Sequence, residues 1–147
     1  EAEIFAIPAK GLLLQYSFGT TNARFDKLDI ASQGSTVNLA GKRPIFTPSS
    51  TSLLAAQYSF AVSSEFKIIL RGEWKYIGTT YFDLANNIQQ SPYHLLNAKL
   101  GMEYKKTALS FWAKNLAGAK YISYGYDFGA VHLGDPAIFG TSFSYKF

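Results

Sequence analysis

The sequence predicts an all-β fold, an antiparallel transmembrane β-barrel. Three observations carry that prediction: a hydrophobic period of two in segments of similar length, connections that alternate between tight turns and long polar loops, and an aromatic residue at the end of the last segment. Of the 147 residues, 48% are hydrophobic, 16% aromatic and only 16% charged, too apolar and aromatic for a disordered chain. The absence of Cys excludes a disulfide scaffold, a thiolate metal site and a cysteine nucleophile. No apolar run approaches the roughly 18–20 residues of a membrane helix, whereas alternating strands hide their hydrophobicity from a running average.

Residues 66–77 show the alternation best. Phe66, Ile68, Leu70, Gly72, Trp74 and Tyr76 form one face, and Lys67, Ile69, Arg71, Glu73, Lys75 and Ile77 the other. A strand of a soluble sandwich can look the same, with its charges outward, so the repetition decides. Residues 12–20 set Leu12, Leu14, Tyr16 and Phe18 against Leu13, Gln15, Ser17 and Gly19, and residues 53–60 set Leu54, Ala56, Tyr58 and Phe60 against Leu53, Ala55, Gln57 and Ser59. Residues 93–104 place His94, Leu96, Ala98, Leu100, Met102 and Tyr104 on one side, and residues 107–115 alternate less cleanly. The final segment sets Phe139, Thr141, Phe143, Tyr145 and Phe147 against Gly140, Ser142, Ser144 and Lys146, and a short segment, Ala2 to Ile7, precedes the first turn. The apolar faces end in aromatics, as girdles at two membrane interfaces require, and the other faces mix small, amide and charged residues suited to a watery lumen. Lys67, Arg71, Glu73, Lys75, Lys99 and Glu103 are expected there, chiefly in wall salt bridges.

Pro8–Gly11, Val62–Glu65 and Lys105–Lys106 read as tight turns, and Asp26–Ser50, Thr79–Pro92 and Leu116–Ile138 as long loops. Short turns on one side and long loops on the other place the turns in the periplasm and the loops outside the cell, in the bacterial outer membrane. Phe139, Phe143, Tyr145 and Phe147 then resemble the terminal signal that barrel-assembly machinery reads. With Phe147 periplasmic, counting back seven strands puts Glu1 toward the exterior. Complete single-chain barrels have even strand numbers, so residues 1–147 are expected to be the C-terminal part of a larger barrel domain. The other readings are a self-contained, eight-stranded outer-membrane protein with a structural or adhesive role, and a soluble β-sandwich module.

Gly41-Lys42-Arg43-Pro44-Ile45-Phe46-Thr47-Pro48, Tyr81-Phe82-Asp83 and Ser91-Pro92-Tyr93-His94-Leu95-Leu96-Asn97 resemble late strands of TonB-dependent receptors. Lys114-Asn115-Leu116, Lys120-Tyr121 and Gly134-Asp135-Pro136 before the terminal Phe147 are similar to the end of that family's barrel. The stretches Tyr121–Tyr126 and Tyr81–Gln90 are most similar to ferric-siderophore receptors of the pesticin/yersiniabactin receptor type. The resemblance implies the last seven or so strands of a barrel of about 22 strands, closed by an N-terminal plug. It implies import of an iron chelate or similar scarce solute, driven by the TonB complex through a box ahead of the plug. The implied partners are the rest of the barrel and plug, TonB, outer-membrane lipid, the assembly machinery and a ferric siderophore. Ala117-Gly118-Ala119 and Ala137 depart from the family pattern and leave any role at those positions in doubt.

Catalysis finds little support, because two His, no Cys and no clustered carboxylates argue against a metal site; a barrel lipase or protease is the formal alternative, with no Ser/His/Asp set that has a reason to converge. No cofactor is expected, iron entering only within a transported chelate. The net charge of +4 is dispersed rather than striped, so nucleic acid is not an expected partner. Ligand contact falls to two loop clusters, Tyr81, Phe82, Asn86, Gln89 and Gln90 in one, and Tyr121, Tyr124, Tyr126, Asp127 and His132 in the other. Aromatic faces with amides suit a flat catecholate- or phenolate-bearing chelate, while the plainer role for each Tyr is girdle or loop packing.

Overall fold

The structure is a computed structural model that describes residues 1–32 and 34–147. In chain order its strands are β1 (Ala2–Ala9), β2 (Leu12–Thr20), β3 (Asp29–Ser32), β4 (Ser35–Asn38), β5 (Ser50–Ala61), β6 (Phe66–Ile77), β7 (Thr80–Tyr81), β8 (Gln89–Gln90), β9 (Tyr93–Tyr104), β10 (Thr107–Lys114), β11 (Ile122–Gly125), β12 (Val131–Leu133) and β13 (Ile138–Tyr145). Seven of them form one antiparallel sheet in the order β1-β2-β5-β6-β9-β10-β13, and the others form two-stranded hairpins inside the three long loops. The seven expected wall segments are these seven strands. The hairpins were not expected from the loop sequences, and the last strand stops at Tyr145, two residues short of the predicted end. The sheet is not closed: β1 and β13 lie at its opposite edges.

Register converts the alternation into two continuous faces. Tyr16, Leu54, Trp74 and Leu96 stand in one cross-strand row, and Tyr58, Leu70, Leu100 and Phe111 in another, so the apolar sets of separate strands merge into one surface. That surface is not covered. Leu54, Leu70, Phe139 and Phe143 keep 50%, 45%, 68% and 68% of their area exposed, and only Leu39, Ala55, Phe82 and Ala113 are buried apolar residues among those described. A soluble domain of this size hides its large apolar side chains in a core; this sheet turns them outward.

Aromatics border the surface at both ends. Near the long loops, the His94 ring lies 4.9 Å from Trp74 and 5.2 Å from Tyr76. Near the short turns, Phe66 meets Tyr104 edge-on at 6.5 Å, and Phe147 meets Tyr145 at 5.4 Å. On the opposite face four of the six expected charges pair within the wall, Arg71 with Glu73 at 2.8 Å and Lys67 with Glu103 at 3.7 Å, while Lys75 and Lys99 make no ion pair among the described residues. These are exposed or half-exposed pairs, which contribute little each and act mainly by keeping the face hydrated.

The tight turns have local causes. Gly11, at φ +82°, packs so closely on β5 that a Cβ there would lie 2.1 Å from the Ser59 carbonyl oxygen. Ser63 Oγ accepts the amides of Glu65 and Phe66, closing the β5–β6 turn. Lys105, at φ +53°, makes the two-residue β9–β10 turn, and its ammonium lies 3.3 Å from Glu65 on the neighbouring turn.

Gly140 lets the Trp112 indole lie flat across β13, where its Nε1 donates to Ser142 Oγ at 3.2 Å; a Cβ on Gly140 would sit 2.1 Å from the ring. Gly140→Ala is therefore expected to displace Trp112 and destabilise the β10–β13 edge by about 1–3 kcal/mol. The measurement is amide hydrogen exchange in the full-length protein, with faster exchange along Ile138–Tyr145 as the expected result.

Candidate functional site

The three long loops meet above the same end of the sheet, the first and second joined by backbone bonds and the second and third by a side-chain bond. The Phe46 amide donates to the Tyr81 carbonyl at 2.9 Å, and Ser49 to Thr79 at 3.0 Å, coupling the first loop to the second. Asn86 strengthens that seam from an αL conformation (φ +59°). Its Oδ1 accepts the Arg43 amide at 2.7 Å and its Nδ2 donates to the Arg43 carbonyl at 3.0 Å. Asp83 makes the turn possible by accepting the Ile88 amide at 2.7 Å. Gln90 carries the second seam, its Oε1 accepting the Ile122 amide of the third loop at 2.6 Å.

The two predicted residue groups meet at Phe82 and Tyr124, while Tyr121, Asp127 and His132 of the second make no ring or hydrogen-bond contact with the predicted residues of the first among the contacts described. Phe82 is 7% exposed and forms the centre. Its ring centroid lies 5.9 Å from Phe46 and 6.2 Å from Tyr124, and Phe46 stacks on Tyr124 at 5.5 Å. The row continues outward through Tyr126, 4.5 Å from Tyr124, to Phe128, 5.1 Å from Tyr126. Phe128 is 76% exposed at the tip of the β11–β12 hairpin, on a turn closed by the Tyr126 amide bonding to Ala130. Gly125 allows the close approach of the loops: a Cβ there would meet Ile88 at 2.5 Å and Phe82 at 3.2 Å.

Individual residues divide into those that hold the loops and those that remain available. Phe82, Asn86 and Gln90 are used in packing and in the seams. Tyr121 stacks on Tyr93 at 4.4 Å and 11°, with Gly134 so tight on its other face that a Cβ would overlap the ring. Tyr81 and Gln89 pair in the small β7–β8 ladder, where Gln89 is exposed. Tyr124, Tyr126 and Asp127 are exposed, and His132 Nδ1 lies 2.8 Å from Ser123 Oγ. Between the loop bases lies a cleft of about 220 Å³ lined by Phe46, Phe82, Tyr93, Tyr121, Gln90 and Ser123. Aromatic walls with an amide and a hydroxyl can grip a flat, hydrogen-bonding solute by stacking. No three His, Asp or Glu gather into a metal-binding group among the described residues.

Phe46 and Phe128 were not among the expected contact residues. Phe46 sits in a Pro-flanked stretch with no periodicity, on a backbone of positive φ (55°). Asn115 also escaped notice as a fixing point. It is 4% exposed, at φ +48°; its Oδ1 accepts the Ala119 amide at 2.8 Å and its Nδ2 donates to the carbonyls of Ala119 and Asp135 at 2.8 and 2.9 Å. Asn97 accepts the Asn115 amide at 3.0 Å, so both ends of the third loop are tied to the wall at one side chain.

No protein-family model matches the chain. Among solved structures it is similar to the ferric yersiniabactin uptake receptor FyuA of Yersinia pestis, at 19% identity and TM-score 0.80, over 99% of this chain and 22% of that one. BauA, the ferric preacinetobactin receptor of Acinetobacter baumannii, is similar at 19% identity and TM-score 0.75, over 99% and 21%. The siderophore receptor PiuA of Acinetobacter baumannii follows at 14% and 0.72, over 96% and 20%. At these identities the likeness is one of fold. The chain resembles the barrel portion of siderophore receptors and spans about a fifth of their length.

Asn115→Gly keeps the αL backbone and removes the side-chain bonds, whereas Asn115→Ala loses both. The Gly variant is expected to cost about 1–3 kcal/mol and the Ala variant roughly 1 kcal/mol more. Proteolytic nicking of residues 116–137 in the full-length protein should rise in that order, and equal rates for both variants would show that the backbone conformation contributes nothing.

Proposed function

We propose that residues 1–147 are the C-terminal wall segment of a TonB-dependent outer-membrane receptor that imports a ferric siderophore or a similarly scarce solute. The observation that carries this reading is the exposed apolar face bounded by two aromatic belts, on an open sheet that overlays receptor barrels along nearly its whole length. From His94 to Tyr104 is about ten residue steps, or about 33 Å at roughly 3.3 Å per residue. At a barrel tilt of ~40° that is about 25 Å along the membrane normal, the height of the apolar band of outer-membrane barrels.

Two unpaired edges support a part over a whole. An open edge presents a row of unsatisfied N–H and C=O groups, which the bilayer interior does not tolerate. Further strands of a barrel of about 22 satisfy them on this reading. The self-contained eight-stranded alternative is not favoured, because β1 and β13 lie at opposite ends of the sheet with no strand joining them.

In the proposed receptor the long loops face the cell exterior, and the rest of the barrel, a plug and TonB supply transport and its energy. Lipid covers the apolar face. Phe139, Phe143, Tyr145 and Phe147, all on or beyond the outermost strand and all more than half exposed, are the proposed signal to the assembly machinery. Tyr124, Tyr126, Asp127, Gln89 and His132 are the proposed first contacts for the chelate, with Tyr81, Phe82, Asn86, Gln90 and Tyr121 shaping the cleft behind them. No resident cofactor is needed, because iron travels as cargo.

Three outcomes test the proposal. Leu100→Arg, on the apolar face midway between the belts, is expected to destabilise the bilayer-inserted protein by about 2–4 kcal/mol, while Ser110→Arg on the opposite face, across from the uncharged Gly101 and Ser142, is expected to be near neutral. Urea titration in lipid vesicles reads the difference, and similar costs at both sites would sink the membrane assignment. Tyr126→Ala is expected to weaken binding of a ferric siderophore by about 0.5–1.5 kcal/mol, roughly two- to tenfold in Kd. Fluorescence titration of the full-length protein with a panel of ferric catecholates and phenolates measures it, and failure of every member to bind removes the siderophore reading.

A further inference from the structure

The two ion pairs on the face opposite the lipid-facing one are not alike. Lys67 and Glu103, near the short turns, keep 46% and 48% of their side-chain area exposed, whereas Arg71 and Glu73 keep only 25% and 23%. Arg71 Nε donates to Glu73 Oε1 at 2.8 Å, and the other carboxylate oxygen, Oε2, accepts from Asn97 Nδ2 at 3.3 Å. Glu73 stands directly across from Asn97, so the β6–β9 register presents the carboxylate to the amide. Asn97 Oδ1 in turn accepts the Asn115 amide at 3.0 Å, and Asn115 holds Ala119 and Asp135 at the two ends of the third loop. One chain of bonds thus runs from the middle of the wall to the loop that carries Tyr121 and Tyr124. The Lys67–Glu103 pair has no such onward bond among the described residues.

Donor and acceptor chemistry gives this chain a direction. The Arg71 guanidinium and the Asn97 NH2 are both donors, so the group between them must accept at both ends. A carboxylate offers one oxygen to each neighbour, whereas a carboxamide of the same shape has a single oxygen and satisfies only one of them. With its Nδ2 held by Glu73, Asn97 turns its Oδ1 to the Asn115 N–H. The same amide turned over would set its NH2 against that N–H. Asn115 is only 4% exposed, so a bond lost there is poorly replaced by solvent.

We infer, on the receptor reading above, that Glu73 is a positioning residue for the solute cleft. Its charge orients Asn97, Asn97 fixes Asn115, and Asn115 sets where the third loop leaves and rejoins the wall. Tyr121 follows Ala119 by two residues and is clamped by Gly134, the neighbour of Asp135, so both supports of its ring lie beside the bonds that Asn115 makes. Glu73, Asn97, Asn115, Asp135 and Tyr121 border one cavity of about 470 Å³, and Tyr121 also lines the cleft between the loop bases. Glu73 acts on the solute only through the shape of that cleft.

The test exchanges the two side-chain chemistries in the full-length protein in lipid vesicles. Glu73→Gln offers one oxygen to two donors, and Asn97→Asp sets a carboxylate against the Glu73 carboxylate. Each is expected to speed amide hydrogen exchange of residues 116–122 and 133–137 about tenfold. Each is also expected to weaken binding of a ferric catecholate or phenolate by about two- to fivefold. In Glu73→Gln/Asn97→Asp the carboxamide accepts from Arg71 and donates to the carboxylate, whose other oxygen accepts the Asn115 amide. All three bonds return with shape and net charge unchanged, so both readouts are expected within about twofold of the parent. Glu103→Gln, which breaks the Lys67 pair far from the loops, is expected to change neither. Single variants that match the parent overturn the inference, as does a double variant looser than either single one or an equal response to Glu103→Gln. Rescued exchange with solute affinity unmoved in the single variants confines Glu73 to holding the loop and overturns its role in the cleft. If no ferric chelate binds the parent, the receptor reading fails on its own, and the exchange measurements still decide whether Glu73 positions the loop.

Discussion

The unbroken antiparallel register of β5, β6, β9 and β10 is the constraint on which the rest of the structure depends. Each of the three pairings runs without a shift, from Thr51 opposite Ile77 through to Thr107 opposite Tyr104. Side chains alternate with a period of two, so a one-residue slip in any of these pairs would turn Leu70, Trp74 or Leu100 to the charged face and bring Arg71 or Lys99 to the apolar one. With so few buried apolar side chains, no core exists to correct such a slip. Register is held instead by backbone ladders, by the turns at Val62–Glu65 and Lys105–Lys106, and by cross-strand contacts such as Trp74 with His94. The one irregularity in the wall, between Ala6 and Ala9 of β1, falls on an edge strand beside Pro8, where a missing N–H costs least.

Most of the wall was legible in the sequence because period two is a strong signal over twelve residues, as in β6 and β9. Their bounds, Phe66–Ile77 and Tyr93–Tyr104, coincide with the alternating runs. The loop hairpins were not legible, since β7 and β8 have two residues each and β11 and β12 four and three. Such lengths carry no period, and the hairpins exist because loops packed on one another supply partners that local sequence does not announce. The β9–β10 turn uses Lys105 at positive φ where Asn or Gly is the usual choice, so its position was readable from the flanking strands and not from turn chemistry.

The candidate site divides along the same line. Aromatic and amide residues in the loops marked the right segments, and Phe82 and Tyr124 do meet. What composition does not reveal is which aromatics hold the loops and which remain free. Tyr121 and Tyr124 are three residues apart on one strand of chain, yet Tyr121 is clamped between Tyr93 and Gly134 while Tyr124 stays exposed. Glycine placement contributes to that distinction: at Gly134 and Gly125 the missing Cβ lets a ring and a loop close down. Phe46 joins the cluster from an αL backbone that no residue-type pattern encodes.

The seams between loops bear directly on how such a surface could work. The first and second loops share two side-chain bonds at Asn86 and two backbone bonds at Phe46 and Ser49; the third is tied to the second through Gln90 and to the wall through Asn115. A cluster joined at this many points moves as a body, because opening one loop exposes Phe82 and breaks bonds in its neighbours. Tyr126 and Phe128 lie beyond the last seam, on a hairpin tip whose only backbone closure is local. The aromatic row therefore runs from a fixed centre to an exposed end, a gradient that lets the tip adapt to a solute while the cleft behind it keeps its shape. On the proposed reading, shape selection belongs to Phe46 and Phe82 and capture to Tyr124, Tyr126 and Phe128, so the residue with the largest exposed ring need not be the one that discriminates between solutes.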